Sequence, residues 1–174
     1  MLIQDRIGLK LLILLPYIFI SACGYTFAGR GQNLPPDIKT VAVTVLKNKT
    51  SELGIENILT NRLVYEFTRS RRLLIESQDA ADVTLGGSVD SLKEETVSRS
   101  GSYRSLERRI TITLSLSLKD RNEKTIWSDT GISDHEVFKV SEDRLSTQKN
   151  RRESIEKIAS RLAEKVQNRI FEGF

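Results

Sequence analysis

Few residues of this 174-residue chain could do chemistry, and their spacing speaks against catalysis. His135 is the single histidine and stands in Ser133-Asp134-His135-Glu136. A Ser-His-Asp set needs three groups that meet in space, but neighbours along a strand point to opposite faces. An exposed histidine near a sheet edge is therefore the favoured reading, and a hydrolase the remote one. A metal site wants several His or Cys ligands, which one histidine cannot supply. Gly86-Gly87 lacks the lysine and the spacing of a phosphate-cradling loop. No enzyme, metal or catalytic cofactor is expected.

The cations say more through position than through number. A net charge of +4 is a small excess and does not imply nucleic acid. Between Ser98 and Arg109, however, Arg99, Arg104, Arg108 and Arg109 surround a single Glu107, with Tyr103 among them. Guanidinium forks suit phosphates and carboxylates through paired hydrogen bonds, although a solvated hairpin tip would carry the same residues. Lys157, Arg161, Lys165 and Arg169 form an i,i+4 row that starts opposite an apolar stripe and drifts to its edge. Such a row usually marks the wet side of a helix.

Cys23 is the only cysteine. Ahead of it an apolar segment runs from Leu11 to Ile20, preceded by Arg6 and Lys10 and followed by Ser21-Ala22. A positive opening, an apolar segment and small residues before a cut form the layout of a secretory signal. The segment is too short to cross a bilayer, which takes roughly 20 apolar residues. Ile20-Ser21-Ala22-Cys23 resembles the bacterial lipobox, whose cysteine is lipidated and becomes the mature N-terminus. An ordinary export signal with an incidental cysteine is the alternative. The resemblance implies S-diacylglycerol and an N-acyl chain on Cys23, and it leaves no cysteine for a disulfide. The expected organisation is a signal peptide over 1–22, a lipidated N-terminus and tether over 23–36, and one domain over 37–174. Gly24, Gly29, Gly31 and Pro35-Pro36 give the tether its composition. Gly24 stands where an aspartate often retains lipoproteins at the inner membrane, so passage to the outer membrane is expected.

The elements follow from periodicity. Ile38 to Leu46 is rich in β-branched residues and predicts a strand. Ser51 is a candidate cap for a helix over 53–69, whose apolar row is Ile55, Leu59, Leu63 and Phe67, with Arg62 and Glu66 spaced to pair. Leu73 to Ile75 predicts a short strand. Val83, Leu85 and Val89 predict another, in which Gly86-Gly87 marks a bulge or a close backbone approach. The clearest strand alternates Leu106, Ile110, Ile112, Leu114, Leu116 and Leu118 against Thr111, Thr113, Ser115 and Ser117. A turn at Asp120 to Glu123 leads into an irregular strand toward Phe138, with Trp127 in the core and a loop over 139–150. Ile155, Ile158, Leu162, Val166 and Ile170 stripe a closing helix. The fold class is α+β: a two-layer sandwich with two helices on one face of a single mixed or antiparallel sheet of four to five strands. Its hydroxyl-bearing face is left open.

Cys23-Gly24-Tyr25 with Phe27, the Leu34-Pro35-Pro36 approach to the first strand, Asp82-Val83-Thr84-Leu85-Gly86 and the closing helix resemble the LptE family of lipopolysaccharide-assembly lipoproteins. The resemblance implies a non-catalytic outer-membrane lipoprotein, on the periplasmic side or inside the lumen of the outer-membrane β-barrel LptD. There it would plug the barrel, assist its assembly and touch lipopolysaccharide in transit. It carries Arg99 over as a lipid-contacting position, and the neighbouring Arg104, Arg108 and Arg109 share its chemistry. Val41 to Thr50 followed by a helix also resembles lipoproteins that activate peptidoglycan synthases or serve a secretion apparatus. The arginine-bearing hairpin and the last helix suit the lipopolysaccharide reading better.

Overall fold

The computed structural model describes residues 34–100 and 104–172, so the expected signal peptide, Cys23 and most of the tether lie outside the described residues. The strands are β1 (Thr40–Val43), β2 (Lys47–Asn48), β3 (Leu74–Ile75), β4 (Val83–Ser100), β5 (Arg104–Asp120) and β6 (Thr125–Lys139). The helices are α1 (Ile55–Ser70), between β2 and β3, and α2 (Arg144–Glu172), after β6. The sheet is mixed, in the order β3-β1-β4-β5-β6, with β2 also beside β4. β1 runs parallel to β3 and β4, and β2 parallel to β4, while β4, β5 and β6 are antiparallel.

β5 sets the two layers. Ile110, Ile112, Leu114, Leu116 and Leu118 are fully buried under the helices, and Thr111, Thr113, Ser115 and Ser117 stand half-exposed on the other face. Both flanking strands slip by one residue beside the same point of β5. In β4 the pairing passes from Val89↔Leu114 to Ser91↔Thr113, leaving Asp90 as the extra residue. In β6 it passes from Ser115↔Thr130 to Leu114↔Ile132, with Gly131 extra at φ +71°. A bulge inverts the inward parity of the residues beyond it, so both neighbours keep their apolar side chains under the helices. The inward residues of β4 are Val83, Leu85 and Val89 before the bulge and Leu92 after it.

The helices close this face. Ile55, Leu59, Leu63 and Phe67 of α1 and Ile155, Ile158, Leu162, Val166 and Ile170 of α2 join the sheet in one core cluster. At about 1.5–3 kcal/mol each, burying side chains of this size is the main force holding the layers together.

Several boundaries differ from expectation for local reasons. β1 stops at Val43 because Leu46 leaves the ladder for the core, where its N–H donates to the Thr60 hydroxyl at 3.2 Å. α1 begins after Gly54, in the left-handed region at φ +83°, and Ser51 does not cap it. The segment ahead is tied instead by Asn48, whose Nδ2 donates to the Glu52 carbonyl at 2.7 Å and to Glu56 Oε2 at 2.8 Å. Arg62 and Glu66 do not pair with each other: Arg62 bonds Glu156 of α2, and Glu66 bonds Arg69. The expected loop over 139–150 is half helix, because Asp143 accepts the N–H groups of Leu145 and Ser146 and starts α2 at Arg144. Trp127 packs against the core but is only half-buried.

Candidate functional site

The arginine-bearing segment is not a loop. β4 and β5 stay paired as far as Ser100↔Arg104, so the two strands form one long hairpin that carries Arg99 and Arg104 on its ladder. The side chains of these two residues lie outside the described residues. Arg108 and Arg109 are strand neighbours and therefore point to opposite faces.

Arg108 points to the helical side. Its Nη1 donates to Glu94 Oε1 at 2.9 Å, and Glu94 Oε2 accepts from Arg151 Nε of α2 at 3.0 Å. Arg151 then grips both oxygens of Glu52 at 2.8 Å. Those bonds hold the Glu52 carboxyl below its ordinary range and the Arg151 guanidinium above its own, against a burial that opposes both. Arg108 is thus one end of a four-residue chain that joins the hairpin, α2 and the segment before α1.

Arg109 points to the open face. It is half-buried, its Nε is shielded from solvent without a hydrogen-bond partner, and no ion pair forms to it among the described residues. Of the two arginines whose side chains are described, it is the one without an ion pair among the described residues.

The open face itself is lined with hydroxyls. Thr111, Thr113, Ser115 and Ser117 of β5 are flanked by Ser133, Thr130 and Ser128 of β6 and by Ser88 and Ser91 of β4. At its centre Asp90 accepts from Ser88 Oγ at 2.7 Å, from Lys49 Nζ at 2.8 Å and from the Ser115 hydroxyl. Lys49 first, then Ser115 and Ser88, hold its carboxyl down at about 2 against the usual 3.8. A polar, hydrogen-bonding wall of this kind complements another polar surface, not a lipid tail.

His135 lies on this face opposite Thr111 and is exposed, whereas Asp134 turns to the helical side, where Arg161 Nε reaches it at 3.1 Å. Burial pushes the Asp134 carboxyl up, but the bonds from Arg161 and the His135 N–H outweigh it and leave it low. The side chains of Asp134 and His135 are therefore not brought together. No group of three or more His, Cys, Asp or Glu residues that could hold a metal occurs among the described residues.

The basic row of α2 is not simply a wet face. Lys157 reaches Glu136 at 3.5 Å, Arg161 reaches Asp134 and Glu136, Lys165 Nζ donates to the Ser133 carbonyl at 2.8 Å, and Arg169 meets Asp129 at 2.5 Å. The row stitches the helix to the edge strand, and its cations are engaged there. Its sequence signal lay in Asp129, Asp134 and Glu136, acids at inward positions of a strand.

The Asp82-to-Gly86 motif is structural too. Asp82 Oδ2 accepts the N–H groups of Lys39 and Thr40 at 3.0 Å and fixes the start of β1. Those bonds, the Lys39 N–H foremost, hold its carboxyl below the ordinary range. A Cβ on Gly86 would stand 2.8 Å from the Thr44 hydroxyl, and one on Gly87 only 2.1 Å from the Ser115 carbonyl oxygen.

The same fold occurs in solved lipoproteins of low sequence identity. Lipoprotein B from Nitrosomonas europaea superposes with a TM-score of 0.58 at 14% identity, over 85% of this chain and 90% of its own. The rare lipoprotein B from Shewanella oneidensis gives 0.52 at 13%, over 71% and 90%. A minor lipoprotein from Acinetobacter baumannii gives 0.51 at 15%, over 78% and 92%. No curated protein matches the chain in sequence. Residues 38–170 match the family model described as LptE, lipopolysaccharide-assembly. That match spans both helices and every strand of the sheet, and the chain belongs to the LptE lipopolysaccharide-assembly family.

Proposed function

We propose that this chain is a lipid-anchored, non-catalytic subunit of lipopolysaccharide export at the outer membrane. It docks its open sheet face against the polar inner wall of the barrel LptD, assists assembly of that barrel, and contacts lipopolysaccharide as it passes. The observation that carries this is the hydroxyl-lined face of β4, β5 and β6, uncovered by either helix, in a chain of the lipopolysaccharide-assembly family. Barrel interiors are polar and alternate with an apolar outer band, so a face of threonines and serines matches the lumen. Arg109, with Arg99 and Arg104 on the same hairpin, supplies guanidinium forks for lipid A phosphates. Arg108 is held by Glu94 and is not assigned to the ligand. Cys23 carries the lipid anchor, and Gly24 directs it to the outer membrane.

Affinity purification of the tagged full chain from envelope extract tests the docking. Recovery of LptD is expected, and recovery of a peptidoglycan synthase in its place overturns the proposal. Lipopolysaccharide retained by the same preparation should fall when Arg99, Arg104 and Arg109 are replaced together by Ala. Mass spectrometry of the mature N-terminus should find acylated Cys23, and Cys23→Ala should leave the domain unanchored.

A further inference from the structure

β4 is paired on both sides only in its first part. It pairs with β5 from Val83 to Ser100, but on its other side β1 reaches Leu85 and β2 reaches Val89. Beyond Val89 no strand lies on that side among the described residues. Register shifts at Asp90 and Val97 bracket a regular stretch, Ser91 to Thr96. Its main chain is open, since Glu94 is exposed although its side chain is only 23% exposed. A row of uncovered N–H and C=O groups is a template for a further strand. In β6 the corresponding groups take bonds from Arg161 and Lys165 of α2, whereas this stretch has no such cover among the described residues.

The charges along the stretch select what can pair with it. Lys93 and Glu95 lie on the open face, are exposed, and form no ion pair among the described residues; Glu95 stands opposite Arg109 without bonding it. Glu94 lies on the helical side, where Arg108 and Arg151 hold it. A second copy laid antiparallel about a two-fold axis through Glu94, perpendicular to the sheet, brings Lys93 of each chain opposite Glu95 of the other. The two Glu94 side chains then meet with their charge already balanced by arginines of their own chains. Centring the axis on Lys93 or on Glu95 sets uncompensated like charges opposite each other, which destabilises the pairing. Leu53 is 94% exposed and follows Glu52, which shares Arg151 with Glu94, so an apolar side chain stands beside the same edge.

We infer that this stretch of β4 is a self-association edge, through which two copies of the chain join β4 to β4, antiparallel and centred on Glu94, into one continuous sheet. The contact is isologous, with the same patch used on both copies. A foreign strand can use the same main-chain groups, but it needs a lysine and a carboxylate at the matching spacing, which the chain itself supplies. The pairing runs through the edge and leaves the hydroxyl face open, so it does not rest on how that face is used.

Sedimentation equilibrium of the full chain in density-matched detergent micelles tests it. A reversible dimer is expected. Lys93→Glu and Glu95→Lys should each weaken it about tenfold, because by symmetry each turns two attractive pairs into repulsive ones. Both side chains are exposed, so the fold is kept. The double exchange Lys93→Glu with Glu95→Lys should restore the dimer, since it rebuilds both pairs in the opposite sense. The inference is overturned if the chain is monomeric throughout, or if the single reversals leave the dimer as strong, as two chains sharing one micelle would. It is equally overturned if the double exchange dimerises no better than the singles, because the two charges then do not face each other across copies. None of these failures bears on recovery of the barrel, which the affinity purification reads separately.

Discussion

At the scale of single residues, the pairing of β4 with β5 rests on positions that admit one residue type. Gly87 is the clearest. Its missing Cβ would sit 2.1 Å from backbone, and backbone cannot swing aside. Gly87→Ala should therefore part β4 from β5 locally and cost at least about 3 kcal/mol. Gly131→Ala meets nothing within 4 Å and suffers only from its φ of +71°, a cost of about 1–2 kcal/mol. Denaturant midpoints of the two variants decide this, and equal losses would refute it. Asp90 makes a pH-dependent contribution. Its folded-state pKa, about 2, lies below the ordinary 3.8, chiefly through the bond from Lys49. A depressed carboxylate stabilises the fold above its unfolded value and loses that contribution as pH falls through its folded one. Asp90→Asn should thus lose at most about 2 kcal/mol at pH 7, and the deficit should close between about pH 4 and pH 2. A deficit of equal size at both pH values would rule the carboxylate's charge out as the cause.

At the scale of elements, the two helices are held to the sheet by one apolar layer and by ion pairs of very unequal worth. Arg151 lies in α2 with its side chain 27% exposed and bonds Glu52, in the segment before α1, and Glu94 of β4, whose side chains are themselves mostly covered. Removing it strands the Glu52 carboxylate and leaves Glu94 to Arg108 alone, so Arg151→Ala should cost about 2–4 kcal/mol. Arg151→Lys should recover less than half, because an ammonium cannot grip both Glu52 oxygens as the guanidinium does. Arg62→Ala breaks an exposed pair with Glu156 and should cost under about 1 kcal/mol. Chemical denaturation of the three variants gives the ranking, and a loss for Arg62→Ala equal to that for Arg151→Ala would contradict it. The same unevenness explains what could be read in the sequence. β5 was legible from Ile110 to Leu118, where its alternation is unbroken, whereas its first residues carry arginines and read as a hairpin tip. β4 and β6 were legible only in pieces, since the bulges at Asp90 and Gly131 invert their parity midway. The apolar stripe of α2 begins at Ile155, whereas its first turns rest on the Asp143 cap, a polar signal that hydrophobic periodicity does not register. Arg108 and Arg109 looked like two members of one cluster, and only strand pairing separates a structural arginine from an available one.

At the scale of the whole molecule, the distribution of charge and cover says which surface is left for a partner. The outer edge of β6 is guarded. The Ser133, His135 and Lys139 carbonyls accept from Lys165, Arg161 and Asn150 of α2, so a partner strand cannot add there without displacing the helix. The opposite edge, β3, is two residues long. Strand addition is thereby disfavoured at both of these edges, which supports the proposed docking through the face. Thr113 lies near its middle, opposite Ser91 and Ser133, and is half-exposed. An indole there has room on the solvent side, so Thr113→Trp should keep its melting temperature within a few degrees of the parent, as surface changes usually do. It would nevertheless stand between the sheet and any closely fitted wall. Recovery of LptD with the tagged chain should fall several-fold, whereas Glu153→Trp, on the exposed side of α2, should not change it. If the helical variant loses the barrel and Thr113→Trp retains it, the docking surface is the helical layer and the hydroxyl face faces water. His135→Ala, on the same face but with a small side chain removed, should leave both fold and recovery unaltered. That contrast separates a surface that must be vacant from a surface that must supply one particular group.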